Sequence, residues 1–256
     1  MMVIDGVMNN FWNGIPSSWN VIPTVSRYGM HKKNPPRVRR DDSLSRERII
    51  NAAIAILDQD GERGLTFQVL SAQLATGPGA IYGHIANKAD LMTAACDAIV
   101  ARAVAIAASA RGATAQATIR NLALAIFDAM DAHPWAGAAL IQAGGKMPVV
   151  RILECVGRQV AALGVPEARH WASACAVVNY ILGVSGQNAA NAQRARTQGA
   201  DRNAFLTVVS AAWQDLDPVQ YPFTRSVAGQ LLAHDDREDF LVGVDLLLQG
   251  LAGPLR

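Results

Sequence analysis

Read for the spacing of its apolar positions, the chain is helical nearly throughout. Ile49, Ile50, Ala53, Ile56 and Leu57 recur at helical intervals after two serines, Ser43 and Ser45, either of which can cap a helix start. Gly61 and Gly64 predict the end of that helix. Thr66 then predicts the cap of a short second helix with Val69, Leu70 and Leu74 as its core contacts, followed by a break at Ala75-Thr76-Gly77. Pro78 stands where proline is favoured, at the first position of a third helix running roughly to Ile85, and Asn87 caps a long fourth beginning at Lys88. Three short helices with a tight break between the second and third make a helix-turn-helix pattern.

Beyond Leu91 the chain turns to long alanine-rich stretches punctuated at Gly112, His133-Pro134, Gly144-Gly145, Pro148, Gly164, Pro166, Gly199, Pro218 and Pro222. No segment alternates as a strand does, so about six further helices form a second, wholly helical region. In residues 168–192, Ala172, Ala176, Asn179, Gly183, Gly186 and Ala190 recur at spacings of 4, 3, 4, 3 and 4, a smooth stripe that lets another helix approach closely. The last helix opens on Asp235, Asp236, Glu238 and Asp239, charges suited to a helix N-terminus, and is expected to bury Phe240, Val244, Leu247, Leu248 and Leu251. The fold expected is all-α: an arm over 1–42, a three-helix helix-turn-helix domain over 43–91, and a larger helical domain over 92–256.

Composition sharpens this picture mainly through the placement of charge. Half of the 256 residues are hydrophobic, 17% are charged, and the net charge is only +2. Residues 27–48, however, hold eight basic side chains (Arg27, Lys32, Lys33, Arg37, Arg39, Arg40, Arg46 and Arg48) against Asp41, Asp42 and Glu47, a surplus of five. A basic block on an otherwise balanced body suggests an arm for a polyanion; the plainer reading is a solvated tail. Cys96, Cys155 and Cys175 are too few and too scattered for a disulfide framework or a zinc site, which points to a reducing cytoplasm. The first 29 residues lack the pattern of a secretory signal, and Met30, just before His-Lys-Lys, is the expected start. Residues 170–193 carry no Asp, Glu, Lys or Arg, but Asn179, Gln187, Asn188, Asn191 and Gln193 crowd them, so they read as a buried helix rather than a membrane span.

The run Leu70-Ser71-Ala72-Gln73-Leu74-Ala75-Thr76-Gly77-Pro78-Gly79-Ala80-Ile81-Tyr82-Gly83-His84-Ile85, followed by Asn87-Lys88-Ala89-Asp90-Leu91, resembles the DNA-binding signature of TetR-family transcriptional regulators. Arg48-Ile49-Ile50-Asn51-Ala52-Ala53 and Gly64-Leu65-Thr66 fit the same family's first helix and turn, so the motif covers roughly residues 44–92. His133-Pro134-Trp135 and the ending Phe240 to Leu251 look like its ligand-binding half. The resemblance implies that Tyr82, His84 and Lys88 stand at phosphate-contacting positions and that Gly77, Gly79 and Ala80 stand where bases are contacted. Physical reasoning adds Thr66 and the helix-start amides as phosphate donors. It also makes Arg37, Arg39 and Arg40 candidates to enter a minor groove.

The chain departs from the family in the turn, where Ala75 replaces the usual glycine and Gly77 a polar cap. Residues 49–91 also hold only Arg63 and Lys88 against Asp58, Asp60, Glu62 and Asp90. Affinity must then lean on the arm, on helix dipoles and on dimer avidity.

Enzyme signatures fail on inspection. Gly77-Pro78-Gly79 with Gly83 spaces its last glycine one position late for a nucleotide loop, and Gly183-Val184-Ser185-Gly186-Gln187 lacks the final glycine of a nucleophile elbow. No cofactor, metal site or membrane partner is expected; adjacent carboxylates at His234-Asp235-Asp236 do not converge on one point. The reading is a homodimeric repressor of a double-stranded palindromic operator, released by a small, largely apolar effector. Its dimer would form through helices 168–192 and 237–251, with Met130, Trp135 and Trp171 as candidate pocket walls. The alternative is a helical carrier or enzyme for hydrophobic ligands with a non-functional helix-turn-helix.

Overall fold

The computed structural model describes residues 44–109, 114–199 and 201–252, which form eleven α-helices and one 3-10 turn. Arg37, Arg39 and Arg40 lie outside the described residues. Helix α1 (Arg46–Gly64) starts at Ser45, whose hydroxyl accepts from the Arg48 amide at 3.2 Å, and it breaks where Gly61 takes φ +66°. Helix α2 (Phe67–Gln73) starts at Thr66, whose Oγ1 accepts from the Val69 amide at 3.1 Å. Helix α3 (Pro78–Tyr82) is shorter than the apolar pattern suggested, ending three residues before Ile85, which is still buried.

These three helices enclose a core of Ile49, Ala53, Leu57, Leu65, Leu70 and Ile81. Ile54 joins the buried face of α1, while Ile50 is only partly covered. Val69, expected in the core, is instead exposed. It sits one residue, or about 100° of helix rotation, away from Leu70, the position α2 presents to α1.

Helix α4 (Lys88–Ala108) is capped by Asn87, whose Oδ1 accepts from the Asp90 amide at 2.9 Å. Its first turns supply Leu91, Ala95 and Ile99 to the N-terminal core. Cys96, Val100, Ala103 and Ala107 belong to a second core. Among the described residues it is also the one helix long and apolar enough, by length and composition, to cross a membrane. Here that apolar surface is divided between two protein cores.

The second core is built by α4 with α5 (Ala115–Ala132), α6 (Pro134–Gln142), α7 (Met147–Ala162), α8 (Glu167–Gln198) and α11 (Asp236–Ala252). Phe240 of α11 anchors it, stacked between Phe127 of α5 at 4.8 Å and Tyr180 of α8 at 5.7 Å. Gly243 permits this approach: a side-chain carbon there would overlap the Tyr180 ring and hydroxyl. Phe240, Val244 and Leu248 are buried as the pattern required, joined by Leu241, whereas Leu247 and Leu251 are only partly covered. The carboxylate of Asp235 accepts the Arg237 and Glu238 amides, both at 2.9 Å, and so caps α11.

On α8, Ala172, Ala176, Asn179, Gly183 and Ala190 face outward. Gly186 differs from the rest of the stripe. It is partly covered, and its Cα would lie 3.2 Å from a Cβ placed on Gly137, so α6 and α8 meet there at backbone distance. Between α8 and α11 run α9 (Arg202–Gln214), α10 (Pro222–Val227) and the 3-10 turn Ala228–Leu232.

Candidate nucleic-acid interface

The break between α2 and α3 is closed by backbone bonds from Ala75 N–H to Ala72 O at 3.2 Å and from Thr76 N–H to Ser71 O at 3.0 Å. The chain turns by placing Ala75 at φ +49°, the sole positive φ at a non-glycine among the described residues. This left-handed conformation suits glycine better than alanine. Gly77 then caps α3 with no side chain of its own, and Pro78 starts the helix without needing an amide partner.

The outer edge of α3 is open. Gly77, Gly79 and Ala80 are exposed, and a Cβ added at either glycine would meet no atom within 4 Å. Tyr82 at the end of α3 is 56% exposed, with its ring stacked on Phe67 at 4.7 Å and 8° between planes. Phe67 therefore braces the ring of this exposed tyrosine. At this exposure Tyr82 is not a buried core aromatic. Sequence reasoning missed the role of Phe67, although an aromatic directly after a capping threonine was the available signal.

His84 and Thr66 are also exposed. The Thr66 hydroxyl accepts from the Val69 amide, which leaves its proton for another acceptor. Lys88 is more committed. Its Nζ donates to the Glu62 carbonyl at 2.6 Å, tying the start of α4 to the end of α1. Asp90 accepts the Ala86 amide at 3.0 Å and pairs with Arg46 at 3.6 Å, so part of the local negative charge is internally matched.

The candidate pocket walls do not gather at one place. Met130 is fully buried in the second core. Trp135 packs against both cores and borders a cleft of about 890 Å³ between the end of α1, the start of α6 and Ala190 to Thr197 of α8. Trp171 is half exposed near the other end of α8, roughly 30 Å along the helix from that cleft at 1.5 Å per residue. Asp58, not singled out from sequence, is the polar centre at the cleft. Its Oδ1 accepts both from His133 Nδ1 at 2.7 Å and from Trp135 Nε1 at 2.8 Å.

No protein-family model matches the chain. The chain is similar to a solved TetR transcriptional regulator from Streptomyces coelicolor, at 50% identity and a TM-score of 0.74 over 82% of this chain and 98% of that one. A curated HTH-type transcriptional regulator from Saccharopolyspora erythraea is 28% identical over 211 residues, covering 82% of this chain and 85% of its own length. The TetR-family protein ActR of Streptomyces coelicolor, solved in complex with actinorhodin, shares the fold at 17% identity and a TM-score of 0.66, over 81% of this chain and 95% of its own.

Proposed function

The chain belongs to the TetR family of transcriptional regulators, and on that premise we propose that it binds a palindromic operator as a homodimer and is released by a small molecule. The observation that carries this reading is the open edge of α3. Gly77, Gly79 and Ala80 leave a smooth exposed edge, and Tyr82 is braced on Phe67 beside it. A short helix of this kind offers its N-terminal residues to base edges in a major groove, while hydroxyls and amides nearby grip phosphates. In this reading Gly77, Gly79 and Ala80 contact bases, and Thr66, Tyr82, His84 and Lys88 approach the backbone. Arg37, Arg39 and Arg40 of the basic arm supply the charge that residues 49–91 lack.

The division into an arm over 1–42, a DNA-binding domain over 43–91 and a ligand-binding and dimerisation domain over 92–256 belongs to the same proposal. Two-fold pairing uses the outward stripe of α8 and the exposed Val242 and Leu246 of α11, giving a four-helix bundle across the axis. In this reading the effector is a small, largely apolar molecule; ActR, another protein of this fold, was solved in complex with actinorhodin. Its binding lowers operator affinity only through tighter binding to the state that does not fit DNA. The place of action is the cytoplasm. A carrier or enzyme role is not favoured, since the relatives are transcriptional regulators.

A gel-shift titration against the DNA flanking its own gene tests the proposal. The full chain should shift one fragment at concentrations that leave random DNA free. Removing residues 1–40 should weaken binding and flatten its log–log salt slope by about 0.9 for each lost phosphate contact. Absence of any preferred fragment would overturn the reading.

A further inference from the structure

The cleft bordered by Trp135 has walls of opposite charge. The end of α1 brings Asp58, Asp60 and Glu62 to it, and the last turns of α8 bring Arg194 and Arg196. On an unbroken helix, residues two apart point about 200° away from each other. With the break at Gly61, Asp60 and Glu62 both border the one space. Asp58 is committed to His133 and Trp135. The other charges are not. Asp60, Glu62 and Arg196 make no side-chain hydrogen bond or ion pair among the described residues, and Arg194 reaches only Asn191, at 3.4 Å. Carboxylates and guanidiniums that border one space without pairing leave both charges to an occupant. The volume, about 890 Å³, suits a small molecule, and such sites gather where two units of a chain meet.

We propose that this cleft binds a small molecule other than the apolar effector above. It is an amphoteric aromatic compound, with a cationic group toward Asp60 and Glu62 and an acidic group toward Arg194 and Arg196. Its ring lies against Trp135. That indole is set before any ligand arrives, because Asp58 holds its N–H at 2.8 Å, so stacking on it costs little ordering. A molecule of one charge sign suits one wall and is repelled by the other, whereas an amphoteric molecule is matched at both. Since α1 belongs to the helix-turn-helix unit and α8 to the larger body, an occupant touching both walls ties one to the other.

Fluorescence anisotropy on the full chain, without DNA, tests this with three dyes that share a xanthene ring. They are a zwitterionic rhodamine, its cationic methyl ester, and anionic fluorescein. The zwitterion is expected to bind saturably and more tightly than either of the others. The double variant Asp60→Asn, Glu62→Gln should weaken the zwitterion and the cation about fivefold and leave fluorescein no weaker. Arg194→Gln, Arg196→Gln should weaken the zwitterion and fluorescein about fivefold and spare the cation. All four side chains are exposed, so both variants should keep the wild-type melting temperature. No saturable binding of the zwitterion would overturn the inference. Binding indifferent to both variants would also overturn it, by placing the dye elsewhere. So would lower melting temperatures with unchanged dye binding, since the two walls would then be pairing with each other. No step of the test uses DNA, so its failure and the failure of the operator reading are separate results.

Discussion

Trp135 of α6 donates its indole N–H to Asp58 of α1 across 2.8 Å, and this bond joins the helix-turn-helix unit to the larger helical body. The same carboxylate oxygen accepts from His133, so one side chain fastens both residues of the corner between α5 and α6 to α1. A change in the packing of α6 therefore has a direct polar route to the helix that carries the DNA-reading unit.

Asp58→Ala should lower stability by about 1–2 kcal/mol, since it strands two donors that are only partly open to solvent. Trp135→Phe should cost about 1 kcal/mol for the lost bond, with a further cost because the phenyl ring is smaller than the indole packed against both cores. In a double-mutant cycle by chemical denaturation the two effects should not add. Full additivity would mean that the bond contributes nothing to holding the two units together.

Cys96 gives a prediction at alkaline pH. It is buried in α4, and burial, helped by the neighbouring Asp97, pushes its thiol up to about 12 from an ordinary 9.0. The folded state therefore holds the proton more tightly than the unfolded chain. The stability this contributes is fully present below pH 9 and is lost as pH rises from 9 toward 12. Denaturation midpoints should fall between pH 8 and 10 in the wild type, and fall less in Cys96→Ala. Cys96 should also resist thiol reagents in the native protein.

Local signals are legible in the sequence where a single residue dictates a single geometry. The capping roles of Ser45, Thr66 and Asn87 and the first-turn place of Pro78 follow from hydrogen-bonding capacity and fixed φ alone. Burial was harder to read. Val69 and Leu70 are equally apolar, and only the direction of α1 relative to α2 decides which one is covered. The stripe on α8 divided for the same reason: spacing places Gly183 and Gly186 on one face, but α6 crosses at Gly137 and covers only the second. Asp58 was invisible because its partners lie 75 and 77 residues away, and nothing local distinguishes it from Asp60.

At the open edge of α3, proposed above to read DNA, Tyr82→Phe should keep its stacking on Phe67 and its melting temperature, while losing about 1 kcal/mol of affinity on specific and random DNA alike. Because Tyr82 is exposed, Tyr82→Ala should also fold. Ala80→Glu should abolish binding by directing a carboxylate at the groove, yet leave the fold intact, since Ala80 is exposed. Lys88→Ala should differ from both. It loses the bond to the Glu62 carbonyl and so should reduce stability by about 1 kcal/mol as well as affinity. Calorimetric melting beside fluorescence anisotropy on labelled duplexes separates these outcomes.

Ala75 offers the sharpest test of how the turn is made. Its φ of +49° places a Cβ where L-residues are strained by roughly 1–2 kcal/mol. Glycine removes that strain but gives the unfolded chain more freedom, which offsets about 0.4–1 kcal/mol. Ala75→Gly should therefore stabilise the protein by about 0.5–1 kcal/mol, a rise of roughly 1–4 °C in melting temperature for a chain of this size. Ala75→Val should do the reverse and by more, because a β-branched side chain fits the left-handed region worse than alanine does. The turn lies between two helices whose mutual angle presents α3, so the Gly variant should bind DNA with unchanged affinity if the geometry is already correct. A loss of stability in Ala75→Gly would show that the alanine methyl makes a contact worth more than the strain it carries.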